Sequence, residues 1–244
     1  MKEVLIGSIL SALSTGLGAL PTILFIQHLL THKWRDTLLA FTAGVMTAAA
    51  TMSLIPESLQ TGGLLPLTIG LLLGTIALTL LERNIPHINL EHQKTGIQFD
   101  EKAFLIVAAI TLHNIPEGLS VGVSYASDVD NTGNLIALAI GLQNAPEGLL
   151  VALFLVQQKM NRFKAFIIAT LTGTVEIVAG LLGFYLTSFF DSLVSYGLAF
   201  AAGAMLYIIY KELIPESHGD GNEQTSTHSF IIGVLSMILL INLF

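Results

Sequence analysis

AFLIVAAITLHNIPEGLSVGVSYA, residues 103–126, is long and apolar enough to cross a bilayer as a helix, yet it carries His113 and Glu117 in its middle. An ionisable side chain at that depth costs at least about 2.5–3.5 kcal/mol on insertion scales, so a functional reason for it is the default. The wider chain fits the same solvent. Of 244 residues, 53% are hydrophobic and 11% charged, with mean hydropathy +0.75. A soluble domain carries about 25% charged residues, and this chain has too few to cover a water-facing surface. Ten basic residues against 17 acidic ones, net −7, argue against a nucleic-acid partner. There is no cysteine, which removes disulfides, thiolate metal sites and thiol catalysis.

Working outward, apolar runs predict eight transmembrane helices at about 4–30, 37–58, 64–82, 103–126, 133–157, 163–190, 193–215 and 229–244. The expectation is an all-α, polytopic membrane protein with one transmembrane domain over 1–244 and a variable cytoplasmic loop at about 83–102. The apolar run after Lys2 is too long for the core of a signal peptide, so the first helix is expected to stay. Basic residues test the count. With the N-terminus outside, Lys33, Arg35, Arg83, Lys94, Lys102, Lys159, Arg162, Lys164 and Lys211 fall on the cytoplasmic side and only Lys2 on the other. That split follows the positive-inside rule and puts both termini outside.

The hexapeptide His113-Asn114-Ile115-Pro116-Glu117-Gly118 recurs in the fifth span as Gln143-Asn144-Ala145-Pro146-Glu147-Gly148. Positions i, i+1 and i+4 share one side of a helix. His113, Asn114 and Glu117 therefore converge on one point, as do Gln143, Asn144 and Glu147. Each proline leaves a carbonyl four residues back without its amide partner, a break tolerated in membranes where it lines a polar cavity. The sixth span adds Glu176, and no lysine or arginine lies inside spans four to six beyond Lys164 at the very start of the sixth. Imidazole, amide oxygens and carboxylates suit a borderline divalent transition metal. A second repeat, Leu54-Ile55-Pro56-Glu57-Ser58 and Leu213-Ile214-Pro215-Glu216-Ser217, ends spans two and seven in opposite orientations. That pattern is the mark of an inverted-repeat transporter, here three, two and three helices. His28, His32, His87, His92, His218 and His228 read first as loop or interfacial residues.

These motifs resemble those of the ZIP (Zrt/Irt-like) family of divalent metal transporters. Gln143, in place of a second histidine, is similar to the bacterial GufA-like branch. The resemblance implies movement of Zn²⁺, with Fe²⁺, Mn²⁺ or Cd²⁺ as other cargo, towards the cytoplasm across a bacterial inner membrane. It implies no prosthetic group and a homodimer in which helices 1, 4, 5 and 6 move against 2, 3, 7 and 8. By the same resemblance a first metal position uses His113, Glu117, Gln143 and Glu147. A second uses Asn114, Asn144 and Glu176, with Glu117 and Glu147 shared. Glu212, Glu216 and His218 are implied as exit-side ligands, and Glu57 lies near the other mouth. Two rival readings are an intramembrane metalloenzyme and a proton-coupled carrier of an organic solute. The first is disfavoured because no His-Glu-x-x-His is present, the second because the Asn, His and Gln content of the motifs favours a metal over a proton alone.

Overall fold

A computed structural model describes residues 1–24, 31–83, 99–127, 129, 131–219 and 221–243. The expected end of the first span with His28, the loop with His87 and His92, and Lys94 lie outside the described residues. Among the described residues all regular structure is helical and forms eight rods. The first, α1, is Lys2–Ala19 with a short continuation Pro21–Leu24. Next come α2, starting as His32–Ala49, and α3, Leu64–Arg83. The middle pair are α4, Phe99–Ala126, and α5, Thr132–Gln157. Then follow α6, Arg162–Ser188, α7, starting as Asp191–Ile208, and α8, Glu223–Leu243. Among the described residues, seven helices are long and apolar enough to cross a membrane by length and composition.

Helix ends differ from the hydropathy limits for a reason of chemistry. Apolar runs mark the lipid-immersed length, whereas capping marks the end of the hydrogen-bonded rod. Thus α2 begins at His32 rather than 37, because Thr31 accepts a bond from the Trp34 amide. Helix α8 begins at Glu223 rather than 229, its first turns anchored where Ser226 Oγ donates to the Ser217 carbonyl at 2.7 Å. Both α4 and α5 run through their prolines, Pro116 and Pro146.

The two Ile-Pro-Glu-Ser segments share a feature that their sequence did not announce. Each follows a single π-helical turn, Ala50–Leu54 in α2 and Ile209–Leu213 in α7, after which the helix resumes as Ile55–Gly62 and Ile214–Ser217. A proline without an amide proton disrupts the i→i−4 ladder, and a wider turn takes up the mismatch. Packing repeats on the same plan. Helix α2 lies against α8 and α3 against α7, while α1 lies against α5 and α4 against α6. A methyl group on Gly44 would overlap the Phe230 carbonyl, and one on Gly203 the Leu71 carbonyl. Gly44 precedes its π-turn by the same interval as Gly203 precedes the other.

The central helices obey the rule most strictly. A methyl on Gly118 would meet the Glu176 backbone carbonyl, and one on Gly148 the Thr15 carbonyl. These are the final residues of the two repeated hexapeptides, so each motif ends in a backbone-to-backbone contact with the neighbouring helix. We expect Gly148→Val to separate α5 from α1 and cost about 1–3 kcal/mol, the usual range for overpacking. Thermal unfolding of the detergent-purified protein checks this, and an unchanged midpoint would contradict the contact.

Candidate metal centre

The site forms where α1, α4, α5 and α6 meet. Glu117, Gln143, Asn144 and Glu176 are almost wholly buried there. Gln143 Nε2 donates to Glu117 Oε1 at 2.7 Å, tying α5 to α4. Asn144 Nδ2 lies 2.8 Å from both carboxylate oxygens of Glu176, tying α5 to α6. Ser11 Oγ donates to Glu176 Oε2 at 2.5 Å and brings in α1. All these donors are neutral, so hydrogen bonding orients the carboxylates without supplying a counter-charge.

The amides are turned so that their oxygens point away from these bonds. Glu117 Oε2, Gln143 Oε1 and Asn144 Oδ1 are buried and accept no hydrogen bond among the described residues. An unsatisfied buried acceptor costs about 1–3 kcal/mol, and three on facing helices form a surface that wants a cation. Charge gives the same answer. Glu147, half-buried, and Glu176 both lie within electrostatic reach of Glu117. Carboxylates crowded together in a low-dielectric interior repel unless a cation or protons lie between them.

The two motif asparagines also share a structural duty. Asn114 Nδ2 donates to the Thr172 carbonyl of α6 at 2.9 Å. Asn144 Nδ2 reaches the Ser11 carbonyl of α1 at 3.2 Å. Each therefore clamps its own helix to the next one, and only Asn144 reaches a carboxylate as well.

Residues placed together by the sequence are not all neighbours. His113 shares the face of Glu117, but its Nε2 lies 3.0 Å from Glu212 Oε2 on the π-turn of α7. Glu147 and Glu216 are within electrostatic reach of that imidazole. His218 is exposed and its Nδ1 lies 3.0 Å from its own helix's Ile214 carbonyl, so it takes no part in the His113 cluster. Glu57 is buried at the opposite end of α4, beside Ser127 and Thr132. Two participants were missed. Ser11 belongs to a buried polar stripe, Ser8, Ser11 and Thr15, whose helical spacing was visible in the sequence. Glu82, at the end of α3, is buried, and its ligand atom lies with those of His113 and Glu212 within 4.8 Å of one another.

A multi-pass helical membrane protein with buried carboxylates and amide oxygens converging from three helices belongs to the class that passes cations through the bilayer. The comparisons name the family. Residues 84–241 match the family described as ZIP Zinc transporter, and the chain belongs to it. It is 38% identical to "Zinc transporter GufA" of Myxococcus xanthus, over 96% of each chain. It is 33% identical to "Zinc transporter ZIPB" of Bordetella bronchiseptica, over 93% of this chain and 76% of the relative. With "Zinc transporter ZupT" of Chlorobaculum parvum identity is 31%, over 97% and 96%. The expectation of a GufA-like ZIP protein is met. The chain is a membrane transporter of divalent metal cations, and its relatives are transporters rather than enzymes.

Proposed function

We propose that this protein carries Zn²⁺ foremost, with Fe²⁺, Mn²⁺ or Cd²⁺ as further cargo, across a bacterial inner membrane towards the cytoplasm. The observation that carries this reading is the set of three buried acceptor oxygens without donors among the described residues, Glu117 Oε2, Gln143 Oε1 and Asn144 Oδ1. The ion's first position lies between Glu117, Gln143 and Glu147, with Asn144 and Glu176 beside it as a weaker second. Asn114 acts mainly as a clamp. His113, Glu212 and Glu82 form the next stop towards the exit, with Glu216 nearby.

Eight spans in a three, two and three arrangement go with this reading, supported by the paired π-turns and the matching helix contacts. Both termini then lie outside, on the evidence of the basic residues, and the single domain assembles as a homodimer in the manner the family resemblance implies. The test is uptake into proteoliposomes from a panel of divalent ions. We expect zinc to accumulate and Mg²⁺ and Ca²⁺, which prefer all-oxygen shells of higher coordination number, to be refused. Equal flux of zinc, Mg²⁺ and Ca²⁺, or none of zinc, overturns the proposal.

A further inference from the structure

One basic residue stands inside the exit-side cluster. Lys211 precedes Glu212 on the π-turn of α7, and its ammonium is bonded to Glu82 Oε2. Tyr207, one turn earlier, donates from Oη to the same Glu82 oxygen at 2.8 Å, and Lys211 Nζ lies 2.9 Å from Tyr207 Oη. The ammonium also sits 5.1 Å from the centre of the Tyr207 ring, within cation–π range. Three groups thus hold one cation on Glu82. The adjacent Glu212 reaches His113 instead. Helix α7 packs against both α3 and α4, so two consecutive residues on its π-turn serve the two sides of that seam.

The equivalent positions before Ile55 are Met52 and Ser53, which carry no charge. The Lys-Glu pair is therefore an addition to the α7 copy and not a requirement of the π-turn. Its setting suggests what it adds. A dication held by the ligand atoms of Glu82, His113 and Glu212 would be neutralised by the two carboxylates and held by the imidazole. Such a site would retain its ion. With Lys211 on the same carboxylate the cluster carries one positive charge too many.

Resting on the transport reading above, we propose that Lys211 is a tethered cation that competes with the transported metal for Glu82, so that the exit cluster passes its ion on instead of storing it. The ammonium must yield Glu82 for a metal to use it, and returns to Glu82 as the metal leaves. Its cation–π and hydrogen-bond contacts with Tyr207 keep it within reach while displaced.

Lys211→Met keeps most of the aliphatic stem and removes the charge. We expect equilibrium titration of the purified full-length variant with Zn²⁺ to show binding about tenfold tighter than the parent, the scale of one nearby charge in a partly screened site. Zinc flux in proteoliposomes should then fall, because release slows. Lys211→Arg, which keeps the charge, should bind zinc as weakly as the parent. Adding Glu82→Gln to Lys211→Met should abolish the gain in affinity. Unchanged affinity in Lys211→Met, or a gain that survives Glu82→Gln, overturns the proposal. The titration requires no transport, so it decides the role of Lys211 even if the flux assay goes against the proposed function.

Discussion

Glu117→Ala abolishes zinc flux while leaving the protein inserted and folded. The carboxylate is fully buried, with one oxygen held by the Gln143 amide at 2.7 Å and the other accepting nothing among the described residues. A dication about 4 Å from one carboxylate gains on the order of 8 kcal/mol at an effective dielectric of 20. Loss of even a third of that is about a hundredfold in occupancy. Gln143 loses its acceptor at the same time and no longer holds its oxygen in place. Insertion should not suffer, because a buried glutamate is itself a burden of about 2.5–3.5 kcal/mol on insertion scales. We expect Glu147→Ala to be equally inactive, since Glu147 lies within electrostatic reach of both Glu117 and the His113 imidazole. Uptake into proteoliposomes, normalised to folded protein, is the measurement. Flux within tenfold of the parent for either variant would mean the ion does not pass between these helices.

The sequence made the helical rods legible because a bilayer imposes a length, and apolar runs report that length directly. Helix ends were less legible: Thr31 and Ser226 work through hydrogen bonds that hydropathy does not register. The site was half legible. Charge inside a span is conspicuous, so His113, Glu117, Glu147 and Glu176 stood out, and the repeated hexapeptide added the amides. Periodicity gives the face of a helix but not which neighbour occupies it. His113 was therefore grouped with Glu117, one turn away on the same helix, although its imidazole reaches Glu212 on another helix. Glu82 was hidden by Arg83, beside which it reads as an interfacial charge. Lys211 was hidden by the positive-inside count, where it serves equally well as a flank. Ser11 was hidden by its small size, for serine in an apolar helix carries little penalty and little signal.

The repeat also shows where symmetry stops. Asn114 and Asn144 make corresponding backbone bonds, to Thr172 on α6 and to Ser11 on α1. Gly118 and Gly148 abut Glu176 and Thr15 in the same manner. The place that Glu176 holds on α6 is thus filled on α1 by a threonine. Duplication supplied the frame, and the carboxylate on one side alone makes the metal centre lopsided. A second ion, if bound, lies on the Asn144 and Glu176 side.

That asymmetry gives Asn144→Asp a large and conditional effect. Asn144 Nδ2 lies 2.8 Å from both oxygens of Glu176, and aspartate has no proton to donate there unless it is itself neutral. In metal-free protein two carboxylates would face each other in a buried site, a repulsion on the order of 4 kcal/mol at an effective dielectric of 20 unless they share a proton. The bond to the Ser11 carbonyl is lost as well, loosening α5 from α1. A dication placed between the two carboxylates reverses the sign of the interaction. Linkage then makes stability depend on zinc, by about 2.7 kcal/mol when free metal exceeds the dissociation constant a hundredfold. We expect Asn144→Asp to unfold at a lower temperature than the parent without metal, to gain more from added zinc, and to bind one further ion per chain. Glu176→Gln should do the opposite, losing the weaker position while retaining measurable flux through Glu117 and Glu147. Thermal unfolding with and without zinc, read beside the metal stoichiometry of the same samples, decides it. Parent-like stoichiometry and parent-like zinc response in Asn144→Asp would show that no second ion lodges between α5 and α6. A Glu176→Gln variant as inactive as Glu117→Ala would make Glu176 part of the principal position and not an auxiliary to it.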